Sequence, residues 1–353
     1  MRALTDLLRT YWAQIPLYIY VALCGALCLA LWNAKGVAYD HEQTVVSFTM
    51  LYVFAIVMFF IDIVWRLYRD RPDHPLRWAK ERYLSAHRAR FLLRGIPAIT
   101  ICVVLIPLFS SLKSMIPLFA VYDWDATFIA ADRALFFGRD AWQVLQPVLG
   151  YPAVTAALAV NYQVWFLLLY PGCMFFAFSE TVSPDLQRRF FLSYALAWTV
   201  IGAFMATSLA SVGPAFAEPL TGIDIFRDQM AYLRAADAQI PIITLTVQDM
   251  LLNSFHDDYR GLGSGITAMP SMHIAIATLF WLAMREVGPR AGRAFFWFMV
   301  VIWVSSVHLA YHYAVDGLVS FIAVMAIWKG VPFVFAWWDT VPAPHAVRLQ
   351  PAS

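Results

Sequence analysis

Eight apolar stretches make up most of this chain and limit the folds open to it. They occupy residues 15–32, 45–65, 95–112, 153–178, 190–209, 272–284, 294–309 and 314–336. A helix needs roughly 17–25 apolar residues to cross a hydrocarbon core about 30 Å thick, and most of the eight reach that length. Because only helices and closed barrels satisfy their backbone polar groups in lipid, the pattern predicts an all-α, polytopic membrane helix bundle with about eight transmembrane helices.

The composition excludes several other classes of protein. Apolar and aromatic residues make up 61% of the chain and charged residues only 14%, against roughly 45–50% and 25% in soluble proteins. The net charge of +2 and the absence of a basic patch give no reason to expect a nucleic-acid partner. Cys24, Cys28, Cys102 and Cys173 all fall inside apolar stretches, which predicts packing residues rather than disulfides or a zinc site. We expect no metal and no cofactor.

The basic residues predict the orientation. With a cytoplasmic N-terminus, the inner segments hold eighteen Lys and Arg residues and the outer segments seven, as the positive-inside rule requires. Both termini are then cytoplasmic, and the long segments 113–152 and 210–271 face outward. The first apolar stretch, after Arg2 and Arg9, reads as a retained helix rather than a signal peptide. Without organelle signals, the predicted location is a bacterial inner (plasma) membrane.

One outward segment has its own pattern. Residues 124–148 read as a single amphipathic helix in which charges such as Asp125, Asp132 and Arg133 alternate with apolar residues such as Phe128 and Ile129. Such a helix either lies in the plane of the lipid headgroups or packs over the bundle as a lid. The sequence does not separate these two interpretations.

The residues best suited to chemistry cluster near the predicted outer interface. His273 opens the sixth apolar stretch, and His308, His312 and Asp316 recur every four residues around the start of the eighth. A helical hairpin between His273 and His312 returns the chain to the same depth, so the two histidines can face each other. Ionisable groups at such positions are costly and mark functional sites.

The spacing suggests distinct roles for these residues. On one helix, Asp316 would share a face with His312 and orient its ring for nucleophilic attack. His273, next to Ser271 at a helix start where phosphate oxygens bind readily, would protonate a leaving oxygen. Just upstream, the glycines after Arg260, which include Gly263 and Gly265, would let backbone amides approach an anion.

These residues resemble the motifs of the type 2 phosphatidic acid phosphatase superfamily of membrane lipid phosphatases and phosphotransferases. Its Pro-Ser-x-His motif matches residues 270–273, and its Ser-Arg, five residues, His, three residues, Asp motif matches residues 305–316. The resemblance implies a phosphohistidine mechanism with His312 as nucleophile, Asp316 as its orienter and His273 as acid and base. It also implies a six-helix catalytic core, at residues 95–340, after two N-terminal transmembrane helices and a basic cytoplasmic loop at 1–94. Residues 341–353 form a short cytoplasmic tail.

Two departures from the superfamily pattern narrow the resemblance. The first motif, Lys, six residues, Arg-Pro, is not found, and Ser306 replaces the arginine of the third motif. In both departures, the sequence resembles the inositol phosphorylceramide synthase (inositolphosphotransferase-like) branch. Residues 312–316 and 113–138 resemble that branch as well, which implies sphingolipid metabolism. Arg260 and Lys113 are the predicted replacement cations, and His308 is predicted to be either a helix-end residue or a lipid-headgroup contact.

The leading hypothesis is therefore a membrane lipid phosphotransferase, whose partners are a phospholipid donor, a lipid hydroxyl acceptor and the bilayer. With water as the acceptor, the same residues make a lipid phosphate phosphatase. His308, His312, Asp316 and His273 also have the ligand types of a zinc-dependent membrane amidase, and a transporter with a histidine pair at its mouth is a non-enzyme alternative.

Overall fold

The computed structural model describes residues 2–37, 41–257 and 265–343 of the chain. Within them the chain forms fifteen helices and no β-strand, which confirms the predicted all-α fold. The first five helices are α1 (Arg2–Ala13), α2 (Ile15–Lys35), α3 (His41–Asp70), α4 (Pro75–Tyr83) and α5 (Ala86–Ser114). The next four are α6 (Asp125–Leu135), α7 (Ala141–Leu149), α8 (Pro152–Phe178) and α9 (Pro184–Ser208), the last with a π-helical middle at Ala197–Met205. The last six are α10 (Pro214–Thr221), α11 (Arg227–Asp237), α12 (Ile243–His256), α13 (Met272–Val287), α14 (Pro289–His308) and α15 (Ala314–Trp338).

Seven of the described helices, α2, α3, α5, α8, α9, α14 and α15, are long and apolar enough to cross a membrane. The protein is therefore an integral multi-pass membrane protein. The sixth predicted span, residues 272–284, forms the shorter helix α13 of 16 residues. α13 packs among α8, α9, α14 and α15, and Ile274, Leu279 and Leu282 are fully buried. Its apolar sequence thus reflects a place in the centre of the bundle, with other helices around it.

The predicted amphipathic helix at 124–148 is two helices, α6 and α7. The break lies at Phe137 and Gly138, whose backbones have φ angles of 56° and 86° and so cannot continue a right-handed helix. Arg133 and Asp140 form an ion pair of 2.7 Å across it. α6 packs against α15 and α7 against α14. Of the two interpretations, the structure favours a lid on the bundle.

The two ends of the bundle are held together differently. At one end, Arg188 forms a bidentate ion pair with Asp339 at 2.7 and 2.8 Å, and Arg189 bonds Glu286 at 2.9 Å. At the other end, α6, α7, α10, α11 and α12 cover the tops of the long helices. We call these five the cap helices. They surround the turn between α14 and α15, where the predicted site lies.

Candidate active site

His312 and Asp316 meet at the N-terminus of α15, where His312 Nδ1 lies 3.1 Å from Asp316 Oδ2. They do not share a helix as the spacing had suggested. Because α15 begins at Ala314, Asp316 lies in its first turn and His312 in the segment before it. Asp316 turns back to accept the backbone N–H of Tyr313 at 3.0 Å. An ionised Asp316 keeps the proton on Nδ1, which leaves the lone pair of His312 Nε2 available for nucleophilic attack.

A close helix contact fixes the position of Asp316. Gly317 follows it, and a Cβ at that position would overlap the indole nitrogen of Trp303 and lie 2.6 Å from Ile274 Cδ1. The Trp303 indole N–H donates to the carbonyl of Ala314 at 3.1 Å. The glycine therefore lets the first turn of α15 rest directly on α13 and α14, and Asp316 is completely buried as a result.

His273 faces this pair from the first turn of α13. The hairpin of α13 and α14 brings its ring centroid to 6.3 Å from that of His312. Ser271 caps α13, its hydroxyl accepting the N–H of Ile274 at 3.5 Å. The Trp165 indole donates to the carbonyl of His273 at 3.0 Å. His273 Nε2 is buried and has no hydrogen-bond partner, so it is available to a ligand.

Aromatic side chains of α8 surround His273. The ring centroids of Tyr162, Trp165 and Phe166 lie 4.2, 4.3 and 5.3 Å from that of the imidazole. Tyr162 stacks on His273 with one face and on Tyr311 with the other, at 5.1 Å. These walls exclude water, and electrostatic interactions within the site are correspondingly stronger.

The structure brings two more of the predicted residues to the site. Lys113 lies in the last turn of α5, and its main chain meets the segment that leads into α13. Gly265 has a φ angle of +92°, and a Cβ there would lie 3.0 Å from the carbonyl carbon and oxygen of Lys113. Arg260 and Gly263 lie outside the described residues.

His308 has a different environment from the other predicted residues. It ends α14, and its Nε2 lies 2.9 Å from the hydroxyl of Thr155 in α8. That hydroxyl also bonds Tyr232 of α11 at 2.7 Å. The polar contacts of His308 therefore connect α14 to α8 and α11, and they do not include His312 or Asp316.

Two carboxylates of α6 hold the catalytic turn, and the sequence analysis treated them only as charges on an amphipathic helix. Asp132 accepts the N–H groups of Ala314 and Val315 at 2.9 and 2.8 Å. Asp125 accepts the Tyr313 hydroxyl at 2.7 Å, together with two backbone N–H groups of the 212–213 segment. A signal was present, because the seven-residue spacing places both carboxylates on the face that buries Phe128 and Ile129.

The environment of these carboxylates is apolar. Burial raises the pKa of Asp132, and the N–H bonds from Ala314 and Val315 act in the opposite direction. Burial also raises the pKa of Tyr313, and the neighbouring Asp125 raises it further. Tyr313 therefore stays protonated and donates its hydroxyl hydrogen to Asp125. As a result, α6 holds three consecutive residues at the start of α15, which are Tyr313, Ala314 and Val315.

Glutamines of the cap helices complete the support of the turn. Carbonyls at and just beyond the C-terminus of α14 lack the N–H partners of a continuing helix, although that of Val307 also accepts the N–H of Ala310 at 3.1 Å. Gln229 of α11 donates to the carbonyls of Val307 and His308 at 2.8 and 3.2 Å, and Gln248 of α12 donates to that of Leu309 at 2.8 Å. The N–H of Ala215 donates to the carbonyl of residue 310 at 2.8 Å. The path of the chain into His312 is thereby fixed.

Position 306, where the third motif of the superfamily has an arginine, supplies no cation. Ser306 is fully buried and donates its hydroxyl hydrogen to the carbonyl of Trp303, 2.7 Å away in the same helix. Across residues 2–37, 41–257 and 265–343, no three or more His, Cys, Asp or Glu side chains are arranged to hold a metal ion. The zinc alternative therefore finds no support in this geometry.

A buried histidine–carboxylate pair faces a second histidine at one end of the membrane-spanning bundle. A family model described as PAP2 superfamily matches residues 126–329, more than half of the chain. The protein belongs to the PAP2 superfamily and is a phosphatase or phosphotransferase enzyme acting on lipid phosphates. No curated protein and no solved structure matches the chain.

Proposed function

We propose that this protein is a membrane lipid phosphotransferase that moves a phospho-headgroup between two lipids through a phosphohistidine intermediate. The observation that carries the proposal is the geometry of the three residues. Asp316 holds Nδ1 of His312 at 3.1 Å, and the ring of His273 stands 6.3 Å away. A phosphorus atom between the two rings has a nucleophile on one side and a proton donor on the other.

In the first half-reaction, the Nε2 lone pair of His312 attacks the phosphorus of the donor phospholipid. A P–N bond forms as the P–O bond to the departing lipid alcohol breaks. His273 takes up a proton when the anionic phosphate ester binds beside it, and it gives that proton to the leaving oxygen, so the product leaves as a neutral alcohol. Asp316 stabilises the positive charge that develops on the His312 ring.

In the second half-reaction, His273 takes the proton from the hydroxyl of an acceptor lipid. The acceptor oxygen attacks phosphorus, the P–N bond breaks, and His312 recovers its lone pair. The phospho-headgroup then belongs to the acceptor, and the enzyme returns to its starting state with the proton on His273.

Two observations favour a lipid acceptor over water. The aromatic walls of α8 around His273 disfavour the presence of bulk water, and Ser306 leaves position 306 without the cation that would bind a phosphate monoester dianion. A phosphodiester carries less negative charge and needs fewer cations. Both features agree with the inositol phosphorylceramide synthase-like branch that the motifs resemble.

The remaining predicted residues have supporting roles in this proposal. Lys113 supplies a cation beside His273, and Ser271 and Gly265 shape the helix start and the loop that face the phosphate. Arg260 and Gly263 lie outside the described residues and are proposed phosphate contacts from the sequence alone, and His308 supports the end of α14 through Thr155. The charge distribution supports cytoplasmic termini and an active site at the outer face, in what we propose to be a bacterial inner membrane.

Phospholipid with a radiolabelled headgroup phosphate, mixed with ceramide or diacylglycerol as acceptor, tests the proposal in purified protein. We expect a new labelled lipid in the presence of a strong chelator and none with His312→Ala. The matched control is His74→Ala, because His74 is an exposed histidine just before α4. Acid-labile label on the wild-type protein, absent from His312→Ala, reports the intermediate.

Each alternative outcome identifies a different function. Water-soluble phosphate without a new lipid makes the protein a phosphatase. Activity that the chelator removes restores the zinc hydrolase, and uptake into proteoliposomes without any product identifies a transporter. Activity that survives His312→Ala contradicts the phosphohistidine mechanism.

A further inference from the structure

Tyr162, in the middle of α8, buries its hydroxyl without a hydrogen-bond partner. The residue is 1% exposed, and its oxygen contacts no donor or acceptor. An unsatisfied buried hydroxyl destabilises the fold, whereas phenylalanine would fill the same space at no such cost. Such a hydroxyl points to a function where it lies beside the groups of a site, and not elsewhere in the core.

The position of Tyr162 suggests that explanation. Its ring lies between the imidazole of His273, at 4.2 Å, and the ring of Tyr311, the residue before His312. Tyr162 is therefore stacked against one of the proposed reacting groups and does not lie in an inert part of the core.

A second unpartnered atom lies in the same stack. His273 Nε2 is also buried without a partner. The two rings are adjacent in one stack, with centroids 4.2 Å apart and 20° between their planes. No side chain of the described residues hydrogen-bonds either atom. A phosphate ester has several oxygens, so it can accept from both groups at once.

We propose that Tyr162 is a catalytic residue that donates its hydroxyl hydrogen to a non-bridging oxygen of the phosphate ester under attack by His312. The inference rests on the proposed function. A neutral donor replaces the cation that Ser306 does not supply, and it suits a phosphodiester, whose charge is smaller than that of a monoester. Since the donor is already positioned by two stacked rings, it stabilises the charge on the equatorial oxygens without reorganisation.

Tyr162→Phe tests this directly because it removes one oxygen and keeps the stack. We expect kcat to fall about 100-fold, with KM changed less than threefold and the melting temperature in detergent equal to or above that of the wild type. Orthovanadate, a mimic of the pentacoordinate phosphorus, should inhibit the variant at least tenfold more weakly. The matched control is Tyr194→Phe, since Tyr194 is also a fully buried tyrosine without a hydroxyl partner, but its ring contacts are with Phe190 and Trp198. It should keep wild-type kcat.

The outcomes separate the two proposals. Wild-type kcat and vanadate sensitivity in Tyr162→Phe overturn the role of Tyr162 and leave the phosphohistidine mechanism standing. A variant that loses activity and melting temperature together gives the hydroxyl a structural role and also overturns the inference. Activity that survives His312→Ala contradicts the proposed function itself, whatever Tyr162→Phe does.

Discussion

Two regions of the molecule differ in the surfaces that they present. The N-terminal helices α2 and α3 expose apolar side chains, whereas the cap helices bury polar ones. In the most apolar parts of α2 and α3, 17% and 6% of the residues are buried within the protein, and side chains such as Leu23 and Phe60 are mostly exposed. These surfaces face lipid. The cap helices instead bury polar side chains, among them Asp125, Asp132 and Gln229, each bonded to a named backbone group.

The difference shows that one kind of interaction inserts helices into the membrane and another kind positions the active site. Hydrophobicity is non-directional, so it places a helix in the membrane without specifying its neighbours to within an ångström. Hydrogen bonds depend on distance and angle, and those from α6, α11 and α12 converge on the turn that carries His312. We therefore expect catalytic effects to decline from the His312 turn through its supports in the cap and bundle to α3.

Asp316→Asn should have the largest effect. The amide cannot hold the proton on His312 Nδ1 or stabilise a positive ring, so kcat should fall about 10³-fold or more. The melting temperature should change little, because the substitution preserves the shape of the buried side chain. Steady-state kinetics measures the fall in kcat, and the amount of acid-labile label on the protein measures the loss of the intermediate. A loss below tenfold would contradict the orienting role of Asp316.

Asp132→Asn should have the next largest effect, and it tests whether the cap positions the site. The amide can accept from only one of the Ala314 and Val315 N–H groups, and its own NH₂ faces the other. We expect a 10- to 100-fold loss of kcat, and a loss of stability of about 1–2 kcal/mol, as for a removed helix cap. Asp123→Asn is the matched control, since Asp123 is exposed just before α6. If Asp123→Asn lowered kcat as much as Asp132→Asn does, the cap helices would not position the site through Asp132.

The sequence predicts the membrane-spanning helices better than it predicts the contacts that position the site. The helices that cross the membrane are visible because apolar length is a local property, and seven of the eight predicted spans are described helices long and apolar enough to cross a membrane. The sixth, α13, has the composition of a span but gains its burial from neighbours distant in sequence. Length is the only sequence signal that distinguishes it.

The site was partly visible because its chemistry lies in short motifs. His312 and His273 stand at two ends of one helical hairpin, which a count of residues can bring together. The contacts of Asp132 with Ala314 and Val315 join residues about 180 positions apart, and no local pattern encodes such pairs. Tyr162 was noted in sequence only as a polar residue in a span, since an unpartnered hydroxyl is a property of the folded site.

Gly317→Ala should have an intermediate effect. The added Cβ overlaps the Trp303 indole, so the first turn of α15 must shift together with Asp316. We expect a loss of about 1–3 kcal/mol in stability, as for overpacking elsewhere, and a loss of kcat near tenfold. Gly330→Ala in the same helix is the control, because a Cβ there meets nothing within 4 Å. It should be neutral or stabilise by up to about 1 kcal/mol.

Ser47→Ala should have the smallest effect and tests the opposite side of the comparison. The hydroxyl of Ser47, in α3, lies 2.9 Å from that of Tyr170 in α8, one of the few buried polar contacts between α3 and the described bundle. Its loss should cost about 0.6 kcal/mol, typical of hydrogen bonds between membrane helices, and leave kcat unchanged. Thr49→Ala is the control, since Thr49 is exposed and bonds only its own helix. If Ser47→Ala lowered kcat as much as Asp132→Asn does, α3 would position the site too, and lipid-facing helices could no longer be treated as separate from the catalytic turn.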